Sequence, residues 1–362
     1  MKIGILTFHC AHNYGAVLQC YATQEFLRSK GYEVEVINYR PQYLLDPYKL
    51  FNRRRVICKN PIRLLKCLII EILMFSNRYK RFIGFERFIH NRLQIGDIVT
   101  RNTLSSDCDA YIIGSDQVWN SRITRGFDPI YFADFPFEKG NKKYISYAAS
   151  MEAKTLTHEQ VDFYTKSLNN FDILSVRENQ LQQLLQSLTS KNISLVLDPT
   201  LMVPTAVWDN LSSDNSNVEK YVVVYQVRID PNTMRIAELI ANQIGAKVKV
   251  LVAWLHYNAV EGADQTATPE EFVDVIRNAA CVVTTSFHGT AFSVIFNRPF
   301  YTIRLNDGRD TRSESLLGTL SLEERIVDVD ACPIFSDIDY SVVNKKLEKL
   351  RKESQDFLIN NL

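Results

Sequence analysis

The chain has little histidine, six residues in 362, and its seven cysteines stand at 10, 20, 58, 67, 108, 281 and 332 without a single CxxC pair. That spacing excludes the clustered thiolates of a zinc site. The odd count argues against a disulfide framework and leaves a reduced, cytosolic protein as the simplest expectation. Net charge is nearly absent, 42 basic against 41 acidic residues, so no whole-chain field draws the protein to nucleic acid. Neither GxGxxG nor a Walker loop occurs, and a standard nucleotide-cofactor fingerprint is therefore unsupported. Long apolar runs are missing too. The best candidate, residues 62–75, is broken by Lys66 and Glu71 and falls short of a membrane span. The opening MKIGILTFHC is too short in its apolar part for a signal peptide and reads as a first strand. Apolar residues are abundant, 46% against 23% charged, which suits a sizeable core and two domains.

Short β-like runs alternate with helical periodicity from the start: KIGILTF, a helix over about 16–30 stopped by Gly31, then YEVEVINY. DAYIIGS, KKYISYAAS, DILSVRE and SLVLDPTL continue as apolar strands ending in polar residues. The polar segment 209–219, DNLSSDNSNVE, reads as a linker between a domain over 1–208 and a second alternation over 220–335. There KYVVVYQV, KVKVLVAW, CVVTTS and PFYTIRL are strands. TMRIAELIANQIG, PEEFVDVIRNA and a stretch from about Gly289 are helices. The result is two α/β domains with parallel sheets facing a cleft. The last stretch, within 336–362, is a helix expected to cross back onto the first domain. A helical insertion at about 45–95 carries, from Lys49 to Arg87, eleven basic residues, among them Arg53 and Arg78, against only Glu71 and Glu86. It reads either as a helix pair with a solvated basic face over a core-facing stripe, or as a surface that touches an anionic membrane.

Chemistry is expected at strand ends, where loops lead into helix N-termini. In TTSFHGT, Ser286, His288, Gly289 and Thr290 stand between a buried strand and a helix, a position suited to an anion or to proton transfer. A histidine that merely satisfies loop carbonyls fits equally. HCAHNYG offers His12, Asn13, Tyr14 and Gly15, and GSDQVWN offers Ser115, Asp116 and Gln117; a turn cap is the plainer reading of Asp116. Arg177 in SVRE either recognises a ligand or pairs with a neighbouring carboxylate. Arg309 and Arg312, in RLNDGRDTRSE, bring guanidinium forks suited to carboxylate or phosphate, although solvation is the commoner fate of an arginine.

KIGILTFHCAHNYGAVLQ, DAYIIGSDQVWN, YISYAAS, LSVRE, LDPTL and TTSFHGTAFSVIFNRPF, in this order, closely resemble the polysaccharide pyruvyl transferase family, over about residues 2–325. The resemblance implies two Rossmann-like domains similar to those of GT-B glycosyltransferases. It also implies transfer of a pyruvyl group from phosphoenolpyruvate to a sugar as a cyclic ketal, in the making of capsular, cell-wall or exopolysaccharide in a bacterium. No cofactor or metal is implied beyond the donor itself. On the family's pattern His288 and Arg177 lie near the donor's phosphate or carboxylate. Some members carry arginine two residues before that histidine, where this chain has Ser286, so that charge falls to Arg309 or Arg312. Asp116 or a neutral His12 is the candidate for taking a proton from the attacking hydroxyl, and Tyr14, Trp119, Trp254 and Tyr257 are candidates for stacking on a sugar. The expected partner is a sugar acceptor, lipid-linked if the protein works peripherally at the inner membrane face. A GT-B glycosyltransferase using a nucleotide sugar, or a glycan-binding subunit without catalysis, would give much the same pattern.

Overall fold

A computed structural model describes residues 1–51, 60–152, 155–211, 219–308 and 310–362. β1 (Lys2–Leu6), β2 (Glu33–Val36), β3 (Ala110–Ile113) and β4 (Lys143–Ser146) form a parallel sheet in the order β2-β1-β3-β4. A parallel pair, β5 (Leu174–Val176) and β6 (Ile193–Leu195), continues it through bridges from Ile145 to Ile173 and from Ala149 to Val176. The second sheet is also parallel, in the order β11-β10-β9-β7-β8. Its strands are β7 (Tyr221–Gln226), β8 (Lys247–Val252), β9 (Cys281–Thr284), β10 (Phe300–Arg304) and β11 (Ile326–Asp328). The fold class is thus α/β with two parallel sheets. Central strands such as AYII and CVVT are buried at every position, as parallel strands covered on both faces must be.

Strand order reverses between β1 and β3 in one sheet and between β7 and β9 in the other. At such a reversal successive connections leave in opposite directions and open a crevice beyond the strands' carboxyl ends. The two halves are not loosely apposed. One apolar cluster contains Ile3 and Ile5 of the first sheet and Val223 and Val282 of the second. The Tyr14 ring stacks on Phe272 with centroids 4.6 Å apart. The C-terminal helix Tyr340–Asn361 packs on the segment after β6: Leu197 N donates to Ser354 Oγ at 2.9 Å, and Gln355 Nε2 to Met202 O at 2.8 Å.

Several elements differ from the sequence reading. Among the described residues the insertion holds one long continuous helix, Pro61–Arg92, where a pair was expected: Asn60 caps it by accepting from Ile62 N and Arg63 N, and no proline within it breaks it. Its first turns turn apolar side chains, not a basic face, to solvent, with Ile62 80% and Ile72 74% exposed. In SLVLDPTL the strand ends earlier than its apolar run, at Leu195, and at the polar end Asp198 caps a short helix, Pro199–Met202. The helix expected from Gly289 begins at Phe287, since Ser286 is its N-cap. The edge strand β11, three residues long, was not anticipated. Most of the proposed linker, 212–218, lies outside the described residues.

Candidate anion-binding cavity

The four loops that follow β1, β3, β7 and β9 line one cavity of about 560 Å³. They contribute Asn13, Asp116 and Gln117, Arg228, and Ser286 with His288 respectively. Two helices start there. Asn13 Oδ1 accepts from Ala16 N at 3.3 Å, and Ser286 Oγ from Gly289 N at 3.4 Å, so both helix N-termini face the same space. Arg122, Arg125, Arg228 and Arg312 line it against Asp116 and Glu152, four guanidinium groups to two carboxylates. Arg312 donates to Glu152 Oε1 at 2.7 Å, and burial lowers its pKa. Arg228 is held by Asp310 at 2.7 Å and Asp307 at 2.5 Å, and the exposed Arg125 by Asp46 at 3.2 Å. Arg122 makes no ion pair among the described residues. The four guanidinium forks and the two helix N-termini are what a phosphate or carboxylate would meet here, in exchange with the carboxylates that hold three of the arginines.

Of the sequence candidates, His288, Asp116, Asn13, Ser286, Gln117 and Arg312 line the cavity. Arg177 does not. Its guanidinium lies buried among carboxylates, bonded to Asp198, 3.3 Å from Asp116 Oδ1 and 3.4 Å from Glu178 Oε1, and stacked over the Phe287 ring at 4.8 Å. The salt-bridge reading of SVRE is the one its geometry fits, and the fork has little left for a ligand. Ser115 belongs to the same layer, its Oγ 3.0 Å from Asp198 Oδ2. Burial opposes ionisation of Asp198, but the charges of Arg177 and His288 outweigh it and hold its pKa below the usual carboxylate value. Burial alone dominates at Glu178, whose pKa is raised.

His288 sits on that layer. Its Nε2 is buried without a hydrogen bond and lies 3.9 Å from Asp198 Oδ2. Desolvation pulls its pKa down to about 4 despite the Asp198 charge, so at neutral pH the imidazole is uncharged. Gly15 sets its position: a Cβ there would come within 1.9 Å of His288 Nδ1, so only glycine lets the first helix, Tyr14–Ser29, approach the ring so closely. Gly114, at φ +119, plays a similar part before Asp116, since a Cβ would meet Tyr147 O at 2.3 Å.

The remaining candidates are elsewhere. His12 lines a second, smaller cavity, with its ring stacked on Phe85 and its Nε2 3.0 Å from Glu86 Oε1, which places it outside the main cavity. Burial works against Glu86, yet His12 and Arg40 bring its carboxyl down to about 2. Tyr14 and Trp119 are core residues: Tyr14 OH donates to Ala267 O at 2.9 Å and Trp119 Nε1 to Tyr131 O at 2.9 Å. Thr290 Oγ1 bonds Thr302 Oγ1, and Gly289 packs on Thr284. Trp254 lines both cavities, its ring parallel to that of Tyr48 at 5.7 Å, whereas Tyr257 is on the surface and lines neither. Arg309 lies outside the described residues. Sequence reasoning passed over Arg228, Arg122 and Asp198. Each follows a strand or strand-end loop already recognised, so position relative to KYVVVYQV, GSDQVWN and SLVLDPTL was the available signal.

Two fully buried histidines make stability pH-dependent. His9, between Thr7 O and Asn38 Oδ1, is brought like His288 to about 4 by burial. The unfolded chain protonates both near their ordinary value of about 6.5. Between those limits unfolding therefore takes up protons, and stability is lost as pH falls from about 6.5 to about 4. His288→Gln should remove roughly 1.4 kcal/mol per pH unit of that slope, measured by urea denaturation at several pH values in this window. An unchanged slope would show that His288 is not buried neutral.

Two parallel sheets whose strand-end loops converge on one arginine-lined cavity define an α/β protein with a candidate site at the switch points of both sheets. A model of the polysaccharide pyruvyl transferase family matches residues 13–307, and the chain belongs to that family. A search of the curated proteins gave no match. Solved structures similar to the chain include UDP-GlcNAc 2-epimerase from Methanocaldococcus jannaschii, 10% identical, covering 99% of each chain at a TM-score of 0.46. The glycosyltransferase SsfS6 from Streptomyces sp. SF2575 is 13% identical, covering 98% of this chain and 95% of its own at 0.41. UDP-N-acetylglucosamine 2-epimerase from Rickettsia bellii is 13% identical, covering 99% and 98% at 0.39. The functional reading rests on the family and the cavity, not on these likenesses.

Proposed function

We propose that the main cavity binds phosphoenolpyruvate beside a sugar and transfers the pyruvyl group to two sugar hydroxyls as a cyclic ketal, releasing phosphate. The observation that carries this reading is the convergence of four arginines and His288 in one cavity of a pyruvyl transferase family member. Its volume, about 560 Å³, suits a three-carbon phosphate with a sugar ring next to it.

In this reaction C3 of the enol gains a proton and becomes a methyl group, and C2 takes on oxocarbenium character. One hydroxyl adds to C2, the C2–O bond to phosphate breaks, and the second hydroxyl closes the ketal. Of the two hydroxyl protons released, one balances the proton gained at C3 and the other leaves with phosphate. The arginines and the two helix N-termini would hold the donor's phosphate and carboxylate. An arriving phosphate dianion favours the charged imidazole, so His288 would take up a proton with the donor and return it to the leaving phosphate. Of the two carboxylates that line the cavity, Glu152 is paired with Arg312, and Asp116, with Oδ1 accepting from the buried Arg177, would take the hydroxyl proton. Trp254 and Tyr48 offer an aromatic wall for the sugar. With this donor the reaction belongs in the cytoplasm of a bacterium assembling capsule or exopolysaccharide.

Thermal shift tests the donor. Phosphoenolpyruvate should raise Tm, and Arg228→Ala or Arg312→Ala should weaken its binding by about tenfold or more. Stabilisation by a nucleotide sugar and not by phosphoenolpyruvate would select the glycosyltransferase reading instead.

A further inference from the structure

The outward face of the helix Pro61–Arg92 inverts the usual pattern of a surface helix. At about 100° per residue, Ile62, Leu65, Ile69, Ile72, Leu73 and Phe75 fall on one arc of roughly 160°. That arc is turned to solvent: Leu65 is 60%, Leu73 59% and Phe75 50% exposed. The opposite side is closed by buried Met74 and by Glu71, which pairs with Arg78 at 2.5 Å. A contiguous apolar patch of several hundred Å² on a surface is a docking face.

Charge identifies what it docks on. Exposed Lys80 stands within the apolar arc and exposed Lys66 at its edge, and the only acid between Pro61 and Lys80 is the buried Glu71. A second copy of the chain laid on this face would bring like charges together, whereas an anionic lipid surface offers apolar depth and negative headgroups at once. Among the described residues no helix is long and apolar enough to cross a membrane, so the contact is with the surface of the bilayer. We propose that the first five turns of this helix lie in the interface of an anionic phospholipid bilayer.

This proposal deepens the functional reading and rests on it for its purpose. Farther along the same helix, Arg78, Arg81 and Phe82 line the second cavity, of about 300 Å³, and Tyr48 and Trp254 are shared between that cavity and the main one. Arg81 is buried and, among the described residues, meets no carboxylate, donating instead to Tyr14 Oη and to the carbonyls of Val252, Ala253 and Gln265. It fixes the helix to the second sheet's loops, so a helix docked on lipid holds the cavities beside the membrane. The acceptor class this favours is a glycan borne on a lipid.

The test is co-sedimentation of the full chain with phosphatidylcholine vesicles, alone or with about one third phosphatidylglycerol. Binding should require the anionic lipid and weaken with salt. Lys66→Glu with Lys80→Glu should lower it by about tenfold or more. Ile69→Glu with Ile72→Glu should lower it by on the order of a hundredfold at unchanged Tm, since both side chains are already exposed. Equal partition onto both vesicle types, no binding, or wild-type binding by the Ile69/Ile72 variant would overturn the proposal. A concentration-dependent dimer lost in that variant would assign the face to a second copy and overturn it likewise. Turnover with a soluble glycan separates the two readings. Turnover retained in the variant while vesicle binding is lost supports docking as a separate function. Vesicle binding by a wild-type protein that turns over no phosphoenolpyruvate overturns the reaction and leaves the docking face standing.

Discussion

Arg177→Met is expected to lower stability at pH 7 by about 3–5 kcal/mol, the cost of removing one partner from a buried ionic network. The guanidinium is the shared cation of Asp198, Asp116 and Glu178, and Asp198 is wholly buried. Without it Asp198 is a buried anion facing a neutral imidazole, and must be protonated or hydrated for the chain to fold. The deficit should therefore shrink as the pH is lowered, because protonation removes the uncompensated charge. Arg177→Lys should recover only part of the loss, since one ammonium cannot reproduce a fork bonded to three carboxylates. Chemical denaturation at pH 7 and pH 5 measures both effects. A loss below about 1 kcal/mol, within the range of exposed pairs, would mean that the network is solvated.

Gly15→Ala is expected to reduce turnover by on the order of a hundredfold, the scale of a small misplacement of a reacting group. Alanine is a better helix former than glycine, so propensity favours the substitution. The methyl group, however, would occupy space held by the His288 ring, which is itself enclosed. The ring must move relative to Asp198 and the donor. His288→Gln is expected to cost about a hundredfold to ten-thousandfold, as loss of a proton-transfer group does. The two together should be far from additive, because both act on the same imidazole. Initial rates of phosphate release by the two single variants and the double variant settle this. Full activity in Gly15→Ala would show that the position of His288 does not matter.

Much of this site could be read from strand ends. Parallel strands buried on both faces give unmistakable apolar runs, and their loops mark where a crevice opens, so Asn13, Asp116, Ser286, His288 and Arg312 were legible as neighbours before any coordinates. What the runs do not encode is which way a long side chain turns. Arg177 follows a strand just as Arg228 does, yet Asp198, a residue distant in sequence, draws the first into a buried layer while the second lines the cavity. His12 lies only three residues from Gly15, but Glu86 on the inserted helix binds it outside the cavity. How the insertion is arranged was not legible, because a count of basic residues carries no angle. The apolar arc appears only once residues 61–80 are known to be one uninterrupted helix.

On the proposed reading this cavity moves a pyruvyl group from phosphoenolpyruvate to a sugar. The most direct measurement is incubation of the purified chain with phosphoenolpyruvate and a lipid-linked glycan isolated from cells, reading phosphate release and the mass of the glycan, with His288→Gln alongside. One phosphate should be released for each glycan that gains the mass of pyruvate less water, and both signals should fall together in the variant. Phosphate release without any mass gain, or a mass gain that survives in His288→Gln, would contradict that reading.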